Sequence, residues 1–96
     1  MIIWVLYDIK KDKARNKAAK YCKQAGLYRV QYSTFLGNID AQQRDTLSLQ
    51  LESEIDENID KIYILPMSKD ELKHTVLLGK AFDKANVSDE VKALFL

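Results

Sequence analysis

Tyr7-Asp8 closes an unbroken apolar run, Met1-Ile2-Ile3-Trp4-Val5-Leu6. A strand-terminal aspartate is a common ligand for a hard cation. One carboxylate can hold a magnesium ion that keeps most of its waters and gains phosphate oxygens from a substrate. An ion held in this way activates water for phosphodiester cleavage. Side chains suited to phosphate chemistry follow along the chain: Arg15, Lys17 and Arg29, with Gln31, Ser33 and Phe35 near them in sequence. One carboxylate per chain is thin for such a site, but a two-fold dimer would bring two together. The residues by themselves leave another account open, in which Asp8 caps the first turn of a helix or pairs with Arg15.

Other chemistries have less to stand on. The chain has one cysteine, Cys22, and one histidine, His74. They cannot build a zinc site of the usual kind, and a Ser-His or Cys-His nucleophile is unsupported. His74 reads as a polar residue entering a late strand. No phosphate-binding P-loop, dinucleotide glycine pattern, HExxH, CxxC or nucleophile elbow is present. A lone cysteine excludes an internal disulfide framework and fits a cytoplasmic protein. No apolar run approaches the roughly 20 residues of a membrane span. The apolar start has no basic leader and no small-residue cleavage site, so neither a signal peptide nor a membrane partner is expected.

The formal net charge of +1 hides an asymmetry. Residues 1–32 carry Lys10, Lys11, Lys13, Arg15, Lys17, Lys20, Lys23 and Arg29 against Asp8 and Asp12, a balance of +6; residues 33–96 balance at −5. Basic charge gathered in one segment suggests a polyanion such as a nucleic acid, although a lysine-rich solvated helix face would look the same.

The elements that must position these groups follow from local pattern. At 96 residues the chain makes one domain. The apolar run is short and bounded by charge, which marks a strand buried on both faces, in the middle of a sheet. Asp12 is the expected N-cap of a helix running to about Ala25, with Ala14, Ala18, Tyr21 or Cys22, and Ala25 as its apolar stripe. Gly26 is the expected residue just past its end, with Leu27 as hydrophobic partner. Tyr28 to Leu36 is rich in β-branched and aromatic residues. A bend near Ser33 would divide it into two antiparallel strands, and Gly37-Asn38 reads as an interruption, a turn or a bulge. Asp40 and Gln43 predict a capping box for a second helix whose buried stripe is Leu47, Leu51 and Ile55. Ile62-Tyr63-Ile64-Leu65-Pro66 reads as a strand that Pro66 either closes or places on an edge.

The order strand, helix, strand, strand, helix, strand predicts an α+β protein, the ferredoxin-like βαββαβ arrangement with both helices on one face of an antiparallel sheet. Residues 1–66 form that core. Residues 67–96 are left for dimer contact. Thr75-Val76-Leu77-Leu78-Gly79 reads as an extra strand that adds to a partner's sheet edge in a swapped homodimer. A short helical tail from about Ser88 carries Val91, Leu94 and Phe95.

Several blocks resemble the second CRISPR-associated protein family, Cas-two, and the archaeal-type members in particular. They are Val5-Leu6-Tyr7-Asp8-Ile9; Asp12-Lys13 with Arg15-Asn16-Lys17; Gly26-Leu27; Arg29 to Phe35 with Gly37; and the late Ile64-Leu65-Pro66. The likeness is close over residues 2–37 and looser beyond. It implies a ferredoxin-like homodimer whose last strand crosses to the partner. It implies one magnesium ion shared by the two Asp8 carboxylates across the dimer axis, with Tyr7, Arg15, Lys17, Arg29 and Phe35 in support. It also implies metal-dependent cleavage of RNA or DNA, and a role beside the Cas-one integrase in spacer acquisition, where the dimer grips duplex DNA by its backbone. Lys10, Lys11, Lys13, Arg15, Lys17, Lys20 and Arg29 are the expected nucleic-acid contacts.

The chain departs from the family in places. Lys17 stands where arginine is frequent, which keeps the charge but loses the bidentate fork. Ala14 stands where many members have arginine. Lys10 and Lys11 replace residues that are often small or acidic, and Leu36 a frequent glutamate. Backbone gripping tolerates such changes better than catalysis does. Three functions follow for testing: a metal-dependent endonuclease, a non-catalytic DNA-binding scaffold of the integrase complex, and a toxin-type ribonuclease of the same fold.

Overall fold

The computed structural model of the chain describes residues 1–81 and 89–95. The N-terminal apolar run forms strand β1 (Ile2–Asp8). It is flanked on both sides by antiparallel neighbours, β3 (Thr34–Asn38) and β4 (Lys61–Met67). Strand β2 (Tyr28–Gln31) pairs with β3 and completes a four-stranded sheet in the order β2-β3-β1-β4. Helix α1 (Asp12–Gln24) connects β1 to β2, and α2 (Ala41–Glu54) connects β3 to β4. This is the ferredoxin-like arrangement that the sequence predicts.

Side chains alternate across a strand, so β1 serves two cores at once. Ile3, Val5 and Tyr7 pack with Phe35 against Ala18, Ala19 and Cys22 of α1 and Leu47 and Leu51 of α2. Ile2 and Trp4 face the opposite side with Val30 and Leu36. A strand flanked by apolar layers on both faces has no polar positions to spare, which is why its sequence reads as one continuous run.

Helix α1 begins differently from expectation. Its N-cap is Lys11, which makes no side-chain capping bond, and Asp12 is the first helical residue. There Asp12 pairs with Arg15, an ion pair that holds it on the helix surface, and its charge still favours the positive end of the helix dipole. The other end follows the expected Schellman pattern. Gly26 takes a φ of +101°, its amide bonds to the Lys23 carbonyl, and the Leu27 amide bonds to the Cys22 carbonyl.

The bend near Ser33 is a tight turn with Ser33 at φ +61°, followed at once by β3. The pairing shifts register between Arg29 and Gln31. Gly37-Asn38, expected as an interruption, instead lies inside β3 and pairs with Ile3 and Ile2. The glycine is explained by what lies beside it. A Cβ on Gly37 would sit 2.9 Å from Leu27 Cδ2, 3.0 Å from the Gly26 carbonyl oxygen and 3.1 Å from Leu27 Cα. Two of those atoms are backbone and cannot rotate away. Gly37→Ala is therefore expected to destabilise by about 1–3 kcal/mol, the usual range for overpacking. Thermal denaturation checks this, and an unchanged midpoint would mean that the α1–β2 connection gives way freely.

Helix α2 carries both halves of the expected capping box. The Gln43 amide donates to Asp40 Oδ1 at 2.7 Å, and the Asp40 amide donates to Gln43 Oε1 at 2.9 Å. Pro66 lies within β4, an edge strand, where its missing amide costs no ladder bond.

Beyond the core the chain turns into a short helix, α3 (Lys69–Lys73), started by a second capping box between Ser68 and Glu71. This helix was not expected, although Ser68-x-x-Glu71 is its sequence signal. His74 is its C-cap, not a strand residue. The Thr75 amide and hydroxyl still bond back to Leu72 and Glu71 carbonyls. Thr75–Gly79 accordingly forms no strand within this chain; a strand needs a ladder partner, and the expectation places that partner in a second copy. Val76 and Leu78 are exposed. The helical tail expected from Ser88 is α4 (Asp89–Leu94); Ser88 and Leu96 lie outside the described residues. Its Val91 and the α3 residue Leu72 are fully buried against the sheet face opposite α1 and α2, with Leu94 and Phe95 half-buried beside them. Among the described residues, no helix is long and apolar enough to cross a membrane.

Candidate functional site

Asp8 ends β1 on the face opposite Tyr7. Its side chain is 62% exposed. Both carboxylate oxygens lie 3.4 Å from Nζ of Lys10, itself exposed. Across the sheet Asp8 stands in register with Lys61. Neither of the two simple accounts of Asp8 describes this: it caps no helix, and Arg15 pairs with Asp12 instead.

The loop beneath Lys10 is tied down by a residue that the sequence did not single out. Asp60, only 9% exposed, accepts the Lys10 amide at Oδ1 and the Asp56 amide at Oδ2, each at 2.9 Å. It thereby joins the β1–α1 connection to the α2–β4 connection. No local pattern marks this contact, because its partners lie 50 positions apart in sequence. The two backbone bonds, the one to Lys10 first, hold the Asp60 carboxyl below its ordinary value of 3.8. A carboxylate lowered in the fold adds stability that is complete above its unfolded value and is lost as pH falls through the folded one. Wild type is therefore expected to lose thermal stability more steeply below about pH 4 than Asp60→Asn. Melting curves taken across the acid range test it, and parallel curves would remove Asp60 from the acid response.

The remaining expected site residues do not gather at Asp8. Tyr7 is 9% exposed and Phe35 fully buried, both in the core under α1 and α2. Their rings stack with centroids 6.3 Å apart, and the Arg29 guanidinium lies 5.2 Å from the centre of the Phe35 ring. Burial raises the Tyr7 hydroxyl above its ordinary value, partly offset by a hydrogen bond from Arg29. Tyr7, Arg29 and Phe35 thus form one cluster on the inner face, while Asp8 lies on the other. Arg15 also donates to the Ile9 carbonyl at 3.4 Å, so it braces the β1–α1 connection. Lys17 reaches Glu54 of α2 at 3.4 Å, and that same oxygen accepts the Tyr21 hydroxyl at 3.2 Å.

Lys10, Lys11, Lys13 and Lys20 are exposed along the start and outer face of α1. They are the cations best placed for a polyanion. Lys61, outside the basic segment, joins them through strand register alone. Cys22 contributes no chemistry: burial pushes its thiol up to about 12.

Whether Asp8 suits a magnesium ion turns on its surroundings. Among the described residues no group of three His, Cys, Asp or Glu side chains could hold a metal. The described residues of one chain therefore build no complete protein cage. A hydrated magnesium ion asks less, one or two carboxylates with room for its waters. An exposed carboxylate whose ion-pair partner among the described residues is an exposed lysine fits that as half a site, to be completed by a second copy.

A family model described as CRISPR associated protein Cas2 matches residues 1–75. The chain belongs to the Cas2 family. Among curated members, it is 37% identical over 67 residues to CRISPR-associated endoribonuclease Cas2 1 of Archaeoglobus fulgidus, covering 70% of this chain and 71% of the relative. It is 30% identical over 87 residues to CRISPR-associated endoribonuclease Cas2 1 of Methanospirillum hungatei, covering 91% and 92%. The fold is similar to the crystal structure of Streptococcus pyogenes Cas2, with a TM-score of 0.68 and 27% identity over 82% of this chain and all of that one. Within this Cas2 family member, β1, α1, β2 and β3 with the connections between them carry the quoted blocks up to Gly37, β4 carries Ile64-Leu65-Pro66, and the Asp8 strand end falls inside the matched span.

Proposed function

We propose that this protein is a CRISPR-associated, metal-dependent endonuclease that acts on RNA or DNA as a homodimer in spacer acquisition, in the cytoplasm and beside the Cas-one integrase. The observation that carries the reading is the exposed Asp8 carboxylate at the end of the central strand, paired with Lys10 and in register with Lys61, in a Cas2 family chain whose curated relatives are named endoribonucleases.

A second copy is part of the proposal. Edge strand β4 exposes Tyr63 and Leu65 on the face that carries Asp8, and the apolar Val76 and Leu78 follow with no strand partner among the described residues. A strand added along such an edge satisfies its open backbone groups and covers that apolar surface. We take Thr75–Gly79 of each copy to do this for the other, which sets the two Asp8 residues about one axis.

Each residue then has a defined task. The Asp8 carboxylates of the two copies would hold a magnesium ion, which would supply an activated water and neutralise charge at the scissile phosphate. Lys10, Lys11, Lys13 and Lys20 attract the phosphate backbone without reading bases. Arg15 and Lys17 hold the β1–α1 loop and α2 in place, and share their charge with a phosphate only where it displaces Asp12 or Glu54. Arg29, Tyr7 and Phe35 stiffen the inner end of the sheet, so they support the site from behind. The assay is cleavage of labelled RNA and DNA by the purified protein with magnesium and with a chelator. Equal rates in the two would refute the metal-dependent reading.

A second reading has its own support. Tyr7, Arg29 and Phe35 face away from Asp8, while the exposed lysines lie along α1 and at the loop before it. A dimeric scaffold that grips duplex DNA needs the lysines and not Asp8. Integration by the partner integrase with Asp8→Asn separates the two, since a scaffold keeps full integration with that variant.

A further inference from the structure

We propose that Lys10 is the built-in counter-ion of Asp8 and sets how tightly this site takes a divalent cation. This rests on the reading of Asp8 as a metal ligand.

Three observations place Lys10 in that role. Its ammonium lies 3.4 Å from both Asp8 oxygens, straddling the carboxylate as an incoming cation would. Its backbone is clamped at 2.9 Å by Asp60, a nearly buried carboxylate whose other oxygen is occupied by the Asp56 amide. The root of the side chain is therefore fixed, while the side chain itself is 58% exposed. Arg15, the cation one would pair with Asp8 from spacing, is held by Asp12 and the Ile9 carbonyl. Lys10 is left as the charge that Asp8 meets at close range.

A divalent cation approaching Asp8 must move that ammonium aside. Lysine suits this: it is a compact point charge on a flexible stem, with no fixed fork to break. The pair is exposed, so its strength is modest and sensitive to salt. Lys10 weakens metal binding without preventing it, and it keeps a stray positive partner on Asp8 when no divalent ion is bound.

The test uses manganese as the probe, with free ion followed by electron paramagnetic resonance at low ionic strength. Wild type is compared with Lys10→Ala, Lys10→Arg, Lys61→Ala and Asp8→Asn, each checked for an unchanged melting curve. Lys10→Ala is expected to bind manganese about three- to fivefold more tightly, a change that exposed ion pairs allow. The gap is expected to narrow as salt rises, and Lys10→Arg to stay close to wild type. If Lys10→Ala matches wild type, or only Lys61→Ala tightens binding, the role of Lys10 is overturned while Asp8 keeps its metal. If Asp8→Asn binds manganese as wild type does, the metal reading of Asp8 falls, and the inference with it.

Discussion

Asp8→Asn is expected to lose magnesium-dependent cleavage by a hundredfold or more while folding normally. The two halves of that statement have separate causes. Asparagine is isosteric with aspartate, and the side chain is largely exposed with one exposed ion-pair partner. Exposed substitutions of this kind stay within about 0.5 kcal/mol of wild type. The carboxylate charge, by contrast, is what a hydrated magnesium ion binds, and a neutral amide holds it poorly. Each tenfold in rate corresponds to about 1.4 kcal/mol of barrier, and metal activation of water is worth several times that. The measurement is a cleavage time course at saturating magnesium, paired with a melting curve. Wild-type cleavage by this variant would take the chemistry away from Asp8 and leave the scaffold reading in possession of the site.

The second large effect concerns stability. Phe35→Ala is expected to destabilise the fold by about 3–5 kcal/mol, the usual range for a buried phenylalanine. Phe35 is fully enclosed, stacked on Tyr7 and covered by Arg29. Its loss opens a cavity beneath α1 and frees the Arg29 guanidinium from its ring. For a domain of this size each kcal/mol moves the melting midpoint by roughly 4–8 °C, so the fall exceeds 10 °C. Phe35→Leu fills most of the volume and is expected to retain most of the stability and, with it, the activity. Were Phe35→Ala to abolish cleavage with its midpoint intact, Phe35 would belong to the chemistry and not to the core.

These two residues also mark how far local pattern reaches. Asp8 stood out because a charge ended an apolar run, and that signal lies within eight residues. Both the residue pattern and the resemblance group Phe35 with Asp8, whereas the alternation of β1 and β3 places it with Tyr7 on the opposite face. The capping box at Asp40 and the helix stop at Gly26 were legible for one reason: each is decided by a few neighbouring residues and one hydrogen-bonding preference. The helix at Lys69–Lys73 carries an equally local signal in Ser68 and Glu71. Asp12 shows the converse, since a residue suited to a cap was taken up by Arg15 one turn on.

By itself, then, the sequence determined the order of the six core strands and helices, the central place of β1, and the family. It did so because burial periodicity, caps and turn residues act over short spans. Only the tertiary structure decided how the charges around Asp8 are held. Lys10, two positions along, has its backbone amide fixed by Asp60, a residue 50 positions further along the chain, and Lys61 stands opposite through strand pairing. Gly37 is explained in the same way, by Leu27 pressing on it from another element. Electrostatic and steric partners are set by distance in space, which chain spacing encodes only within a turn or a hairpin.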